Sequence, residues 1–248
     1  MSSESIEEFC FPVIGYHLAN SKAIADNLFG TASYINNNIF ITAAHSILNA
    51  HESEIMGIAI RNSFQTKSGY TYHRFEEFEL FEDLDIGILK LKGSNKIAKA
   101  KKWSLKNPII LEDVYSYGFP FGLNALEKEL IVRGLKGYVV TSRKFHEFKK
   151  TPRIHELSFH CPKGISGASL HNSRTHYIQG FIIGNASTEM MIFEEKEVDE
   201  KENKISVFQK YETTKYGIAI LVDNLLDLHS EILGKTFRDY LNGENLLV

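Results

Sequence analysis

The chain has 248 residues, room for one large domain or two small ones. Hydrophobic residues make up 43% and charged residues 24%, which supports a packed core and argues against wholesale disorder. A formal net charge of −3 with pI near 6.4 lacks the basic excess of a nucleic-acid binder, and no apolar run nears the roughly 18 residues of a membrane span.

The N-terminal stretch Met1-Ser2-Ser3-Glu4-Ser5-Ile6-Glu7-Glu8 is acidic and lacks the basic start and apolar run of a secretory signal. The two cysteines, Cys10 and Cys161, do not make a disulfide framework. With the missing leader they point to a reducing, cytoplasmic setting. Unpaired buried thiols are the expected state, and a single Cys10–Cys161 bridge is the alternative. Strands are expected at Asn38–Thr42, Glu54–Ile60 and Asp85–Leu91 in the first half. A lysine cluster, Lys96, Lys99, Lys101, Lys102 and Lys106, follows and reads as an exposed connection ahead of Pro108.

Further strands are expected at Gly137–Thr141, Tyr177–Ile183 and Tyr216–Val222. Many short strands separated by turn signals argue for an all-β sandwich or barrel. Between Glu189 and Lys204, seven acidic residues stand against three lysines, a composition for a solvated loop or the tip of a long hairpin. At the end, Leu225, Leu226, Leu228, Ile232, Leu233, Phe237, Tyr240 and Leu241 recur near a 3.6-residue period. That predicts a helix over 223–242, capped by Asp223 or Asn224, with Gly234 as a weak spot.

Lys163-Gly164-Ile165-Ser166-Gly167-Ala168 places a serine between two glycines, where the backbone can turn tightly. Such a turn can aim successive N–H groups at one point and make an anion-binding nest. Serine needs a base to take its proton, and histidine is the usual one. Of ten histidines, His45 follows an apolar strand ending in the small residues Ala43 and Ala44, which let another segment approach it. His51, His73, His146, His171, His176 and His229 sit among polar residues and are expected at the surface. A base needs an orienting group, and Asp85 stands at the lip of a buried strand, where a carboxylate needs a partner. Asp83 is expected to be a plain surface charge.

Together these residues resemble the trypsin/chymotrypsin-like serine peptidases. Thr42-Ala43-Ala44-His45 is similar to that family's histidine motif, Asp85-Ile86-Gly87-Ile88-Leu89-Lys90 to its aspartate segment and Gly164-Ile165-Ser166-Gly167-Ala168 to its Gly-Asp-Ser-Gly-Gly. The order His, Asp, Ser is the chymotrypsin order. Weaker likenesses lie at Phe29–Ser33, Tyr117–Gly122 and Tyr216–Ile220, so the resemblance runs over roughly 10–240. It implies an all-β chain of two antiparallel β-barrels with a C-terminal α-helix. The first barrel (9–103) would carry His45 and Asp85, the second (108–222) Ser166 and the substrate pocket, and a helix (223–242) would close the chain.

By the same resemblance, Ser166 is the nucleophile, His45 the general base and acid, and Asp85 its orienting group. The N–H groups of Gly164 and Ser166 would form the oxyanion hole. Substrate-binding positions implied by offset are His160 and Cys161 near the specificity pocket, Ile182, Ile183 and Gly184 as a strand pairing with substrate, and Gly217. Ile165 replaces the aspartate that pairs with a new N-terminus in clipped zymogens, so control is expected from an activating protein partner, an effector or loop ordering. The expected partner is a protein or peptide substrate, with no nucleic acid, no membrane, no cofactor and no metal. His155, His160 and Cys161 lack a fourth ligand of suitable spacing. Asn185-Ala186-Ser187 fits a glycosylation sequon that a chain in the cytoplasm would not use. A selective intracellular serine endopeptidase, as in a bacterial stress or antiviral response, is the function expected; a peptidase-like binding module without turnover is the alternative.

Overall fold

The computed structural model describes residues 9–20, 22–49, 55–61, 70–93, 99–120, 123–124, 129–199 and 204–248. The acidic start 1–8, His51, Glu54, Lys96, Phe121, Gly122 and residues 200–203 lie outside the described residues. Six strands close the first barrel: β1 (Cys10–Ala19), β2 (Lys22–Asn36), β3 (Ile39–Ala43), β4 (Ile55–Arg61), β5 (Tyr70–Phe81) and β6 (Ile86–Leu91), in the order β1-β2-β3-β6-β5-β4. A short helix, α1 (Ala44–Asn49), leaves β3 directly. After β7 (Asp113–Gly118) comes a small ribbon of β8 (Leu123–Asn124) and β9 (Glu129–Leu130). Then follow β10 (Arg133–Lys144), β11 (Arg153–Leu157), β12 (Ser169–Asn172), β13 (Ile178–Asp199) and β14 (Lys204–Leu221). The second barrel closes in the order β10-β11-β14-β13-β12-β7. The architecture is thus all-β, two antiparallel barrels of chymotrypsin-like form.

Burial on two faces explains why the seam strands are so apolar. Ile39 and Ile41 of β3 and Ile86 and Ile88 of β6 face a core shared by both barrels, while Phe40 and Leu89 point into the first barrel. From the other side, Phe181, Ile218 and Ile220 join the shared core, and Ile182 and Ala219 fill the second barrel. Strands with two apolar destinations lose the in-out alternation and read as continuous apolar runs.

Three expectations need correction. The connection carrying the lysines is anchored rather than simply exposed. Trp103 is fully buried in the shared core, its backbone N–H donates to Leu246 O (2.7 Å), and Val248 N–H donates back to Trp103 O (2.9 Å). The helix expected over 223–242 is only α2 (Phe237–Gly243). Val222–Asn224 is a single 3-10 turn, and β15 (His229–Ser230) pairs with β16 (Lys235–Thr236) across a turn in which Gly234 has φ +68°. Thr236 is the true N-cap, its Oγ1 accepting from Asp239 N–H (3.1 Å). The leucines keep their burial without a helix, because turns that fold back on the shared core bury them equally well.

His171 is the third correction, buried instead of exposed. It sits on β12, stacked 5.1 Å from Tyr115 and sharing a 2.8 Å hydrogen bond with Ser169 Oγ. Burial, with a smaller contribution from Lys101, pushes its pKa down to about 3, so the ring is neutral. Both cysteines are free and buried, so the bridge alternative falls.

Candidate active site

His45 is the second residue of α1, at the point where β3 ends. Asp85 lies just before β6 with φ 52° and ψ 41°, a left-handed conformation that aspartate tolerates better than most side chains. β3 and β6 are paired neighbours, so the ends of the two strands meet. Asp85 O accepts from Ala44 N–H (3.0 Å), Oδ1 from His45 N–H (2.9 Å), and Oδ2 bonds His45 Nδ1 (2.7 Å). The carboxylate therefore grips both the backbone and the ring of His45. Nδ1 is the ring atom it engages, which leaves Nε2 free to accept a proton. The imidazole is 40% exposed and the carboxylate 15%, so an incoming group reaches the histidine and not the aspartate. Asp83 is partly exposed and lies 3.8 Å from Lys150 at the surface.

Ser166 comes from the second barrel, on a turn that only glycine permits. Gly164 has φ +100° and Gly167 φ +88°. A Cβ on Gly164 would stand 2.4 Å from Phe119 O, and one on Gly167 would meet Thr31 O at 2.2 Å and Ala43 N at 2.7 Å. The turn is thus pressed against β2 and the Thr42–Ala43 end of β3, two residues from His45. Its carbonyls are taken by the first barrel: Thr31 N–H donates to Ser166 O (2.8 Å), and Thr31 Oγ1 to Gly164 O (2.8 Å). Among the described residues the N–H groups of Gly164 and Ser166 have no acceptor, while Gly167 N–H donates to Ile182 O (2.7 Å). No hydrogen bond links Ser166 to His45 among the described residues. Ile165 is 1% exposed within the second barrel's core, an apolar setting that holds no ion pair.

A family model described as trypsin-like peptidase domain matches residues 30–178. The chain belongs to the trypsin-like peptidase family. Its barrels superpose on the crystal structure of the Rv3671c protease from M. tuberculosis in its active form, with TM-score 0.55 and 12% identity over 88% of this chain and 78% of that one. No curated protein matches significantly.

Around this trypsin-like peptidase's turn, the other expected positions fall into two groups. His160 is exposed, and Cys161 is buried with its thiol pushed up to about 12 by burial. Gly217 pairs with Asn185 and packs on Cys161, since a Cβ there would lie 2.4 Å from Sγ. Gly184 borders open space. Ile182 and Ile183, by contrast, bury their side chains in the two cores, so they can offer a ligand only backbone. Past Ile182, β13 has β14 as its ladder neighbour and no β12 on the other side, which leaves one edge open.

The roles of two residues escaped the sequence reading. Thr31 ties the Ser166 turn to the first barrel. Asn185 clamps the backbone of Cys161 from both sides, accepting from its N–H (2.7 Å) and donating to its O (2.6 Å). The glycines flanking each region, Gly30 and Gly184, were the available signal. Among the described residues no helix is long and apolar enough to cross a membrane, and no group of three or more His, Cys, Asp or Glu is placed to hold a metal.

Proposed function

We propose that the chain is a serine endopeptidase acting on protein or peptide substrates inside the cell, with Ser166, His45 and Asp85 as its catalytic triad. The observation that carries this reading is the double grip of Asp85 on His45, at 2.9 and 2.7 Å, beside the Ser166 turn. In the reaction Ser166 Oγ adds to the scissile carbonyl carbon and its proton passes to His45 Nε2. The negative oxygen of the adduct receives the N–H groups of Gly164 and Ser166, the two that lack an acceptor. His45 returns the proton to the departing amine, leaving an acyl-Ser166 ester that water, deprotonated by His45, then cleaves. Asp85 holds the ring and stabilises its cationic form. Substrate would lie along the open edge of β13 from Ile183 outward as an added strand, with His160, Cys161 and Gly217 beside its side-chain pocket.

The Ser166–His45 hydrogen bond would form with substrate in place, since catalytic contacts are often loose without it. A buried apolar residue at 165 leaves clipping of the N-terminus without its electrostatic role. Free, buried Cys10 and Cys161 suit a reducing compartment. The test is fluorophosphonate labelling of the purified chain with mass mapping of the adduct. Labelling at Ser166, lost in His45→Ala, is expected, and Ser166→Ala should lose turnover on the order of 10⁶-fold. A chain that binds peptide but never labels is a binding module instead.

A further inference from the structure

A cavity of about 280 Å³ that the proposed reaction does not use is lined in part by Phe119, whose carbonyl lies against Gly164 of the Ser166 turn. Phe11, Ile60 and Tyr70 of the first barrel line it, together with Phe119 just after β7, Leu130 of the small ribbon and Val132 just ahead of β10. Two of its polar side chains already have partners. Tyr70 OH donates to Leu130 O (3.2 Å) and accepts from Leu130 N–H (3.1 Å), and Cys10 Sγ donates to Tyr117 O (3.1 Å). Among the described residues no charged side chain lines it. Its described residues offer a ligand apolar contact area and no anchoring charge, so it favours an uncharged group. A dry apolar cavity of about 150 Å³ accepts benzene, so this one has space for a two-ring aryl or a medium-chain alkyl group.

One wall of the cavity is also the brace of the Ser166 turn. Phe119 N–H donates to Thr31 Oγ1 (3.1 Å), which itself donates to Gly164 O (2.8 Å), while Thr31 N–H holds Ser166 O (2.8 Å). Gly164 lies so close under Phe119 O that a Cβ would come within 2.4 Å. Pressure on Phe119 from inside the cavity therefore reaches Thr31 and, through it, Gly164 O and Ser166 O, the two carbonyls by which the first barrel holds the turn. We propose that this cavity is an effector site for a small uncharged aryl or alkyl molecule, and that filling it braces the Ser166 turn and raises the reactivity of Ser166. The coupling to Ser166 rests on the peptidase reading; the binding site does not.

The experiment has two arms. Phenylnaphthylamine, a neutral fluorophore, is titrated into the full chain and displaced with octanol. Saturable fluorescence is expected in wild type and should be lost in Val132→Trp and in Ile60→Trp. Both positions are half-buried, so a larger ring fills the cavity, and thermal melts check that each variant folds. In the second arm, saturating octanol should raise the fluorophosphonate labelling rate of Ser166 by about fivefold or more, the lower end of ordinary allosteric coupling, and leave Val132→Trp unmoved. Absence of saturable binding, or binding equal in wild type and both variants, overturns the site. Binding that leaves the labelling rate unchanged or lowers it overturns the coupling. Should Ser166 never label while the probe binds and both variants abolish it, the peptidase reading fails and the coupling falls with it, but the cavity stands as a binding site.

Discussion

The hairpin of β13 and β14 is one continuous ladder with two unlike halves. Near the barrel, Phe181, Ile182, Ile218, Ala219 and Ile220 are essentially inaccessible. Farther out, Met190, Met191, Ile192, Phe193, Val207, Phe208 and Tyr211 are as apolar, yet each is about half exposed. Backbone pairing does not separate the halves, because it runs on to Asp199 opposite Lys204. The difference is lateral. Near the barrel β12 flanks β13 and β11 flanks β14, and both neighbours stop at Phe181 and Gly217. Burial follows barrel closure, and a two-stranded ribbon without a third layer has nowhere to hide its side chains. Phe193 and Phe208 can only meet each other, 6.2 Å apart and edge to face.

That contrast can be broken by experiment. Phe181→Ala in the inner half should cost about 3–5 kcal/mol in urea unfolding, since it leaves a cavity in a packed core. A loss as small as that of a surface substitution would show that the inner half is not the core it looks to be. Acid should weaken the closure through β12. Folded, His171 stays neutral down to about 3, whereas an unfolded histidine takes up a proton near about 6.5. Between those values the unfolded chain binds more protons, so stability falls as pH drops through that window. His171→Gln should flatten the slope of unfolding free energy against pH, and an unchanged slope would put the acid sensitivity elsewhere.

At the junction of the halves, Asn185→Ala removes the clamp on Cys161. A loss of about 1–2 kcal/mol is expected, with faster alkylation of a thiol that burial otherwise keeps protonated. Smallest should be the effect of removing the arm itself. Joining Thr188 to Thr214 through Asn-Gly should change stability by less than about 1 kcal/mol. It should also leave fluorophosphonate labelling unaltered, because the arm's described side chains stand largely in solvent. A large change in labelling would instead place the acidic arm over the cleft.

Much of this molecule is legible in the amino-acid sequence because the signals are local. Strand segments such as Ile39–Ala43 and Ile86–Leu91 announce themselves by apolar runs, and the glycines around Ser166 by their need for left-handed backbone. Placing Asp85 at a strand lip and His45 after two alanines needed nothing beyond neighbours in the chain. What remained hidden depends on partners far along it. Whether leucines at a helical period form a helix depended on a turn at Gly234 and on the shared core that receives them. His171 looks exposed among Asn172 and Ser173, and is buried because β7 and β13 enclose its strand. Thr31 and Asn185 are unremarkable until the fold brings Gly164 and Cys161 to them. Residue type and spacing determined the elements and the chemistry they could carry. Only the tertiary structure decided which polar groups meet and which apolar faces are covered, because both depend on contacts that close through space.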